Sequence, residues 1–171
     1  FADVRATQFR GMNVERIIAT KEHFEIALTS DKVRASNVYS NLFQDNNGQF
    51  TISNLDTNEN ELQANYILTY FTMRAPQTNE TIFVEGKFNN WQPTPAHQML
   101  YNDQKEQYEG AVLLKQGLYD YQYSNLSSFE KNGVEGSYAE TENDYEIFLY
   151  FRNPKTNVDE IVGYDYISSG N

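Results

Sequence analysis

The feature that most constrains the fold is a set of short runs of β-branched, aromatic and aliphatic residues, each closed off by turn-forming residues. Residues 66 to 73, "YILTYFTM", 81 to 85, "TIFVE", and 145 to 151, "YEIFLYF", are of this kind. Such side chains pack well on a pleated surface and lose rotamer freedom in a helix, so the runs predict strands. "YEGAVLLKQGLYDYQYS", 108 to 124, predicts two strands hinged at Gln116-Gly117. Alternation along its second arm would set Tyr119, Tyr121 and Tyr123 on one face and Asp120, Gln122 and Ser124 on the other. From Met12 to Leu28 the positions Val14, Ile17, Ile18, Phe24 and Leu28 also fit a helical stripe, but the β-rich surroundings favour strands. Turn clusters separate the runs: "DNNG" at 45 to 48, "NLDTNENE" at 54 to 61, "RAPQTNE" at 74 to 80, "KNGVEG" at 131 to 136 and "RNPKTN" at 152 to 157. Short strands at this spacing predict an all-β antiparallel β-sandwich.

Two of the runs are apolar on both faces. Tyr66, Leu68 and Tyr70 oppose Ile67, Phe71 and Met73, and Phe148 and Tyr150 oppose Ile147, Leu149 and Phe151. A sandwich strand needs only one apolar face. Either residues 1 to 59 or a further part of a parent chain cover the second face, or it is a partner interface rich in Tyr and Phe.

Composition narrows the partners. With 13 Lys and Arg against 24 Asp and Glu, the net charge of −11 repels phosphate backbones and anionic lipid surfaces, so nucleic acid is not expected as a partner. Hydrophobic residues make up 39% of the 171 but never run for the roughly 18 positions that span a bilayer. The absence of Cys excludes disulfides, thiolate metal sites and cysteine nucleophiles. A chain of this length accommodates one well-buried domain with an extension. Its start at Phe1, without a signal-like region, is expected of a mature product or an excised fragment.

Chemical constellations are sparse. His23 and His97 stand in separate segments without flanking ligands, so no metal site is expected. Asp56, Asn58 and Asn60 begin like a calcium loop, but Glu61 stands where the turn requires Gly and Ile67 where a bidentate Glu is required. Glu135, Glu140, Glu142 and Asp144 supply carboxylates, which glycoside hydrolysis needs as a pair across a cleft; a run of them in a loop reads as solvated surface. No nucleophile elbow or phosphate-cradling loop occurs, so no catalytic residue and no cofactor is assigned and a non-enzymatic role is expected.

The stretch 82 to 124, with "GKFNNW" at 86 to 91 and "GLYDYQY" at 117 to 123, resembles the immunoglobulin-like early-set sandwich of glycogen-binding modules. In those modules sugar binding depends on two aromatic platforms, a lysine on the Tyr-x-Tyr strand and a later asparagine. By that resemblance Trp91 matches the first platform, Phe129 is a loose counterpart of the second, Gln122 stands at the lysine position, and Asn143 corresponds to the asparagine. Asn89 and Asn90 flank the Trp, and together these six residues form a candidate ligand or partner surface. Trp91 has two readings: an exposed platform for a polysaccharide, or a plug closing one end of the sandwich while Asn89 and Asn90 satisfy turn backbone.

A second resemblance covers nearly the whole chain. "FRGMNVERI" at 9 to 17, "DNNGQFTI" at 45 to 52, "ANYILTYFTM" at 64 to 73, "FNNW" and above all "VEGSYAETENDYEIFLYFR" at 134 to 152 are similar to the carboxy-terminal part of the Bacteroidetes type IX secretion plug family. That resemblance implies a periplasmic, non-enzymatic protein whose partner is an outer-membrane translocon. Where the family carries a basic segment before its last strand, this chain has "NVDEIVGY" at 157 to 164. The expected organisation is an N-terminal β extension, or part of a preceding domain, over residues 1 to 59, and the immunoglobulin-like early-set sandwich over 60 to 171. A carbohydrate-binding module of the glycogen or starch type is the alternative function.

Overall fold

The computed structural model describes residues 1–33, 46, 48–57, 61–125 and 144–168. Among these, thirteen strands follow one another: β1 (Ala2–Asp3), β2 (Val14–Ala19), β3 (Phe24–Leu28), β4 (Asp31–Lys32), β5 (Phe50–Ile52), β6 (Tyr66–Arg74), β7 (Ile82–Glu85), β8 (Gln98–Asn102), β9 (Gln107–Lys115), β10 (Gly117–Tyr119), β11 (Gln122–Asn125), β12 (Asp144–Arg152) and β13 (Asp159–Ser168). They form a three-stranded sheet in the order β1-β10-β5, a larger sheet in the order β11-β7-β8-β9-β6-β3-β2 with β4 also on β6, and a separate β12-β13 ribbon. The ambiguous Met12 to Leu28 stretch is a strand pair, β2 antiparallel to β3.

The fold is an all-β sandwich. Its core is one cluster that joins Ala2, Val4 and Tyr119 from the small sheet to Ile26, Ile67, Phe71, Met73, Val84, Val112 and Tyr123 from the large one. Alternation along β6 places Ile67, Thr69, Phe71 and Met73 in this core, while Tyr66 on the opposite face is 65% exposed. Removing a buried ring such as that of Phe71 from a core of this kind costs about 3–5 kcal/mol.

Three expectations need correction. The sheets are not purely antiparallel: β3 and β4 both run parallel to β6, because the chain returns to β6 through a long connection instead of a hairpin. The second arm of the 108 to 124 segment is not one strand. The chain leaves the small sheet after Tyr119 and enters the large sheet at Gln122, with Asp120 and Tyr121 between strands. The tyrosines still keep to the core side, with Tyr119 and Tyr123 buried and Tyr121 packed against the same cluster, while Ser124, on the opposite face of β11, is buried as well. Finally, the chain does not divide at residue 59. Strands β1 to β5 belong to the same sheets as those from 66 to 125, because β3 pairs with β6 and β5 with β10. The two compact units are instead Phe1–Ser137 and Tyr138–Asn171.

The second unit contains the β12-β13 ribbon. Its strands pair in antiparallel register from Asp144 opposite Ser168 to Arg152 opposite Asp159, with one bulge after Leu149. At the turn end Arg152 donates two hydrogen bonds to the Asp159 carboxylate, at 2.7 and 2.8 Å, and Asn157 adopts a left-handed φ of 55°.

Candidate functional site

Two places carry the candidate function: the loop around Trp91 and the β12-β13 ribbon. The first grows out of β7. After Glu85 the chain turns through Gly86 into a short 3-10 turn, Lys87–Asn89, and closes when the Gly86 carbonyl accepts the Trp91 N–H at 2.9 Å. The Asn89 side chain is fully engaged in that turn: its Oδ1 accepts the Gly86 N–H at 3.0 Å and its Nδ2 donates to the Val84 carbonyl at 3.2 Å. Asn90 and Trp91 both take left-handed backbone conformations, with φ of 55° and 57°. Asn tolerates that region; Trp rarely does, so the Gly86 bond and the ring's packing must hold it there.

The Trp91 ring is half-buried and lies against Gly48, where an added Cβ would come within 2.9 Å of Cζ2. Gly48 is held in place by the Asp120 carboxylate, which accepts the N–H groups of Asn46 at 2.7 Å and Gly48 at 3.0 Å. Two loops more than forty residues apart in sequence thus interlock through one indole, one glycine and one carboxylate. Sequence reasoning did not find Gly48 or Asp120, since nothing local to either marks the contact. Gln122 opens β11 opposite Glu85, next to the loop. Of the six candidate residues, the structure therefore gathers Trp91, Asn89, Asn90 and Gln122 at one end of β7, whereas Phe129 and Asn143 lie outside the described residues.

The tyrosines of the same motif are structural. Tyr121 and Tyr123 both donate their hydroxyls to Asp31 Oδ2, at 2.7 and 2.6 Å, and Tyr119 donates to the Lys115 carbonyl. Desolvation pushes the Tyr119 hydroxyl up to about 12. Gln116, at the hinge, is buried and bonds to Asn54, Asp56 and the Arg5 carbonyl, while its Oε1 accepts the Asn65 N–H. Asp56, considered above as a possible calcium ligand, accepts the Thr7 N–H and hydroxyl and the Gln8 N–H instead. Its partner positions Asn58 and Asn60 lie outside the described residues, as do Glu135, Glu140 and Glu142. Among the described residues, no group of three or more His, Asp or Glu is arranged to hold a metal. His23 contacts Glu25 and His97 contacts Thr94.

A surface groove lined by Phe9, Arg10, Arg16, Ile17 and Phe24 runs beside the edge strand β2. Arg10 reaches across to the Glu15 carbonyl at 3.0 Å, and the register shifts between Val14 and Arg16. Both features blunt that edge against further strand pairing.

The ribbon is chemically different. Directly opposed residues share a face, so Glu146, Phe148 and Tyr150 lie with Tyr166, Tyr164 and Ile161, while Tyr145, Ile147, Leu149 and Phe151 lie with Ile167, Asp165, Gly163 and Glu160. The Phe148 and Tyr164 rings meet at 5.2 Å. Both faces are open: Leu149 is 62% exposed and Tyr164 58%. A two-stranded ribbon has no second layer of its own, so this apolar surface has nothing to bury it within the ribbon itself.

Fold and sites together define an all-β sandwich carrying a two-sided apolar ribbon. No family model and no curated protein matches the chain. Among solved structures, a hypothetical protein from Parabacteroides merdae ATCC 43184 is similar over 98% of this chain, with a TM-score of 0.85 and 29% sequence identity. This chain spans 43% of that protein. No helix among the described residues is long and apolar enough to cross a membrane.

Proposed function

We propose that this chain is a non-enzymatic, periplasmic protein-contact module resembling the type IX secretion plug, and that it seats on an outer-membrane translocon through the β12-β13 ribbon. The observation that carries this reading is the ribbon itself: large apolar side chains on both faces of a two-stranded element that supplies no second layer of its own. A plug performs no chemistry. It requires a well-packed body, a surface that seats against a barrel rim, and enough charge to stay soluble when released. The sandwich core and the net charge of −11 are consistent with those needs.

The carbohydrate-binding alternative has less support. Asn89 spends its amide on the turn, and the indole of Trp91 packs against Gly48 instead of standing clear as a platform. The experiment that tests the proposal is binding of the purified chain to a purified, detergent-solubilised type IX translocon barrel, followed by interferometry. Saturable binding that weakens at least about tenfold in the Phe148→Ala/Tyr164→Ala variant is expected, since central aromatic anchors dominate interface energies. No binding, or binding indifferent to that variant, refutes it.

A further inference from the structure

The groove beside β2 departs from the average field of the chain. The sequence holds 24 acidic residues against 13 basic ones, yet this lining carries Arg10 and Arg16 with one carboxylate, Glu15. Arg5 and Arg152 each donate two hydrogen bonds to an aspartate, whereas among the described residues neither Arg10 nor Arg16 has a carboxylate partner. Arg10 spends one N–H on the Glu15 carbonyl, and a guanidinium has more to give. Phe9 and Phe24, 52% and 43% exposed, line the same groove with Ile17, which also packs against the core. A single exposed ring is ordinary on a protein surface; two that share a concavity with a pair of guanidinium groups lacking counter-ions form a recognition surface.

The walls are held in place without a ligand. On one side Asp56 accepts the Thr7 N–H and hydroxyl and the Gln8 N–H, and Arg10 ties the far end of the same segment to Glu15. On the other stands the β2-β3 ladder, where Ala19 opposes Phe24 and Ile17 opposes Ile26. Arg16 lies on the alternate face of β2, so the groove follows the strand's edge and takes side chains from both faces. Walls fixed beforehand reduce the ordering cost of binding. We propose that this groove docks an extended acidic peptide segment of a partner protein, with an apolar side chain against Phe9, Ile17 and Phe24 and carboxylates on Arg10 and Arg16.

Charge complementarity selects this occupant. Carboxylates pair with guanidinium groups through short, charge-assisted hydrogen bonds. A nucleic acid or an anionic membrane would set many phosphates against the net charge of −11, and a second copy would bring a further −11, whereas a short peptide has only to meet the local pair. Arg10 on the Glu15 carbonyl and the register shift between Val14 and Arg16 disfavour strand addition, so side chains carry the recognition.

The test is fluorescence anisotropy with labelled synthetic peptides that alternate Asp or Glu with Phe or Leu in either phase, each paired with a twin in which Asn and Gln replace the acids. The expected result is saturable binding of an acidic peptide at least about tenfold tighter than that of its amide twin, a gap that closes to within about twofold in Arg10→Gln/Arg16→Gln. Phe9→Ser should weaken peptide and twin alike, because it removes apolar contact and no charge. Arg16→Gln alone carries the comparison should the double variant melt early. The ribbon variant Phe148→Ala/Tyr164→Ala should leave peptide binding unchanged, so this inference and the translocon proposal fail separately. No saturable binding of any acidic peptide, equal affinity for the twins, a gap that survives the arginine changes, loss of binding in the ribbon variant, or tighter binding of oligogalacturonate at the same groove would each overturn the inference.

Discussion

Gly86→Ala is the most informative single change in the Trp91 loop. Gly86 has an extended backbone, φ −175° and ψ −178°, which any residue adopts, so the requirement for glycine is one of space. An added Cβ would lie 2.4 Å from Phe88 Cε1 and 2.7 Å from the Asp120 carbonyl oxygen. The ring can swing aside, although it then leaves its contacts with Tyr119 and His97. The carbonyl cannot yield as easily, because the Asp120 N–H donates to the Gln49 carbonyl and its carboxylate holds Asn46 and Gly48. Overpacking of this kind costs about 1–3 kcal/mol, and the fixed carbonyl argues for the upper half of that range. At about 3–5 °C per kcal/mol for a unit of this size, Tm should fall by about 6–15 °C in calorimetry. Trp91, the one indole in the chain, should shift its emission to the red as the loop loosens from Gly48. Adding Phe88→Leu should restore part of the loss, because it relieves only the ring clash. A Tm within about 2 °C of the parent, with unchanged emission, would refute the packing argument.

Other outcomes follow from the same structure. Gln116→Leu strands the polar groups of Asn54, Asp56 and Asn65 that the amide satisfies, so urea unfolding should show a loss of about 2–4 kcal/mol; a loss below about 1 kcal/mol would contradict the hub. Glu109 is held down to about 2 from the ordinary 4.5, first by the Lys105 hydrogen bond and then by Asn102. Because its pKa is depressed in the folded chain, the stability it adds is fully present above 4.5 and is lost as pH falls toward about 2. Glu109→Gln should therefore lower Tm at pH 6 by an amount worth about 1 kcal/mol, discounted for exposure, and match the parent near the acid end of that window; a gap that persists at low pH would contradict the assignment. In a fluorescence titration with malto-oligosaccharides, Trp91 should give no saturable change at roughly millimolar sugar, the range of weak single-platform binding. A saturable shift abolished by Trp91→Ala would favour the carbohydrate reading.

Much of the fold was legible because strand signals are local. "YILTYFTM", "TIFVE" and "YEIFLYF" each became a strand, and the hinge at Gln116-Gly117 separates β9 from β10. The change of sheet at Asp120 and Tyr121 was not legible, because the tyrosine alternation runs through it unbroken: Tyr119, Tyr121 and Tyr123 all meet the core. The parallel seating of β3 on β6 was not legible either, because neither strand's own pattern states which partner it takes. At the candidate site, the sequence pointed to Trp91 and to the turn role of Asn89. It was silent on Gly48 and Asp120, which meet the loop only through the tertiary fold. The two-sided apolarity of the ribbon was readable from "YEIFLYF", but which residues share a face across the pair needed the register with β13.

The most direct test of the central claim compares three versions of the chain for affinity to the purified translocon barrel: the parent, Phe148→Ala/Tyr164→Ala on the ribbon, and Trp91→Ala in the loop. Contact through the ribbon predicts at least about tenfold weaker binding for the ribbon variant and an unchanged Kd for Trp91→Ala, with the sandwich melting normally in the ribbon variant. The reverse pattern, in which Trp91→Ala weakens binding and the ribbon variant does not, would contradict the account.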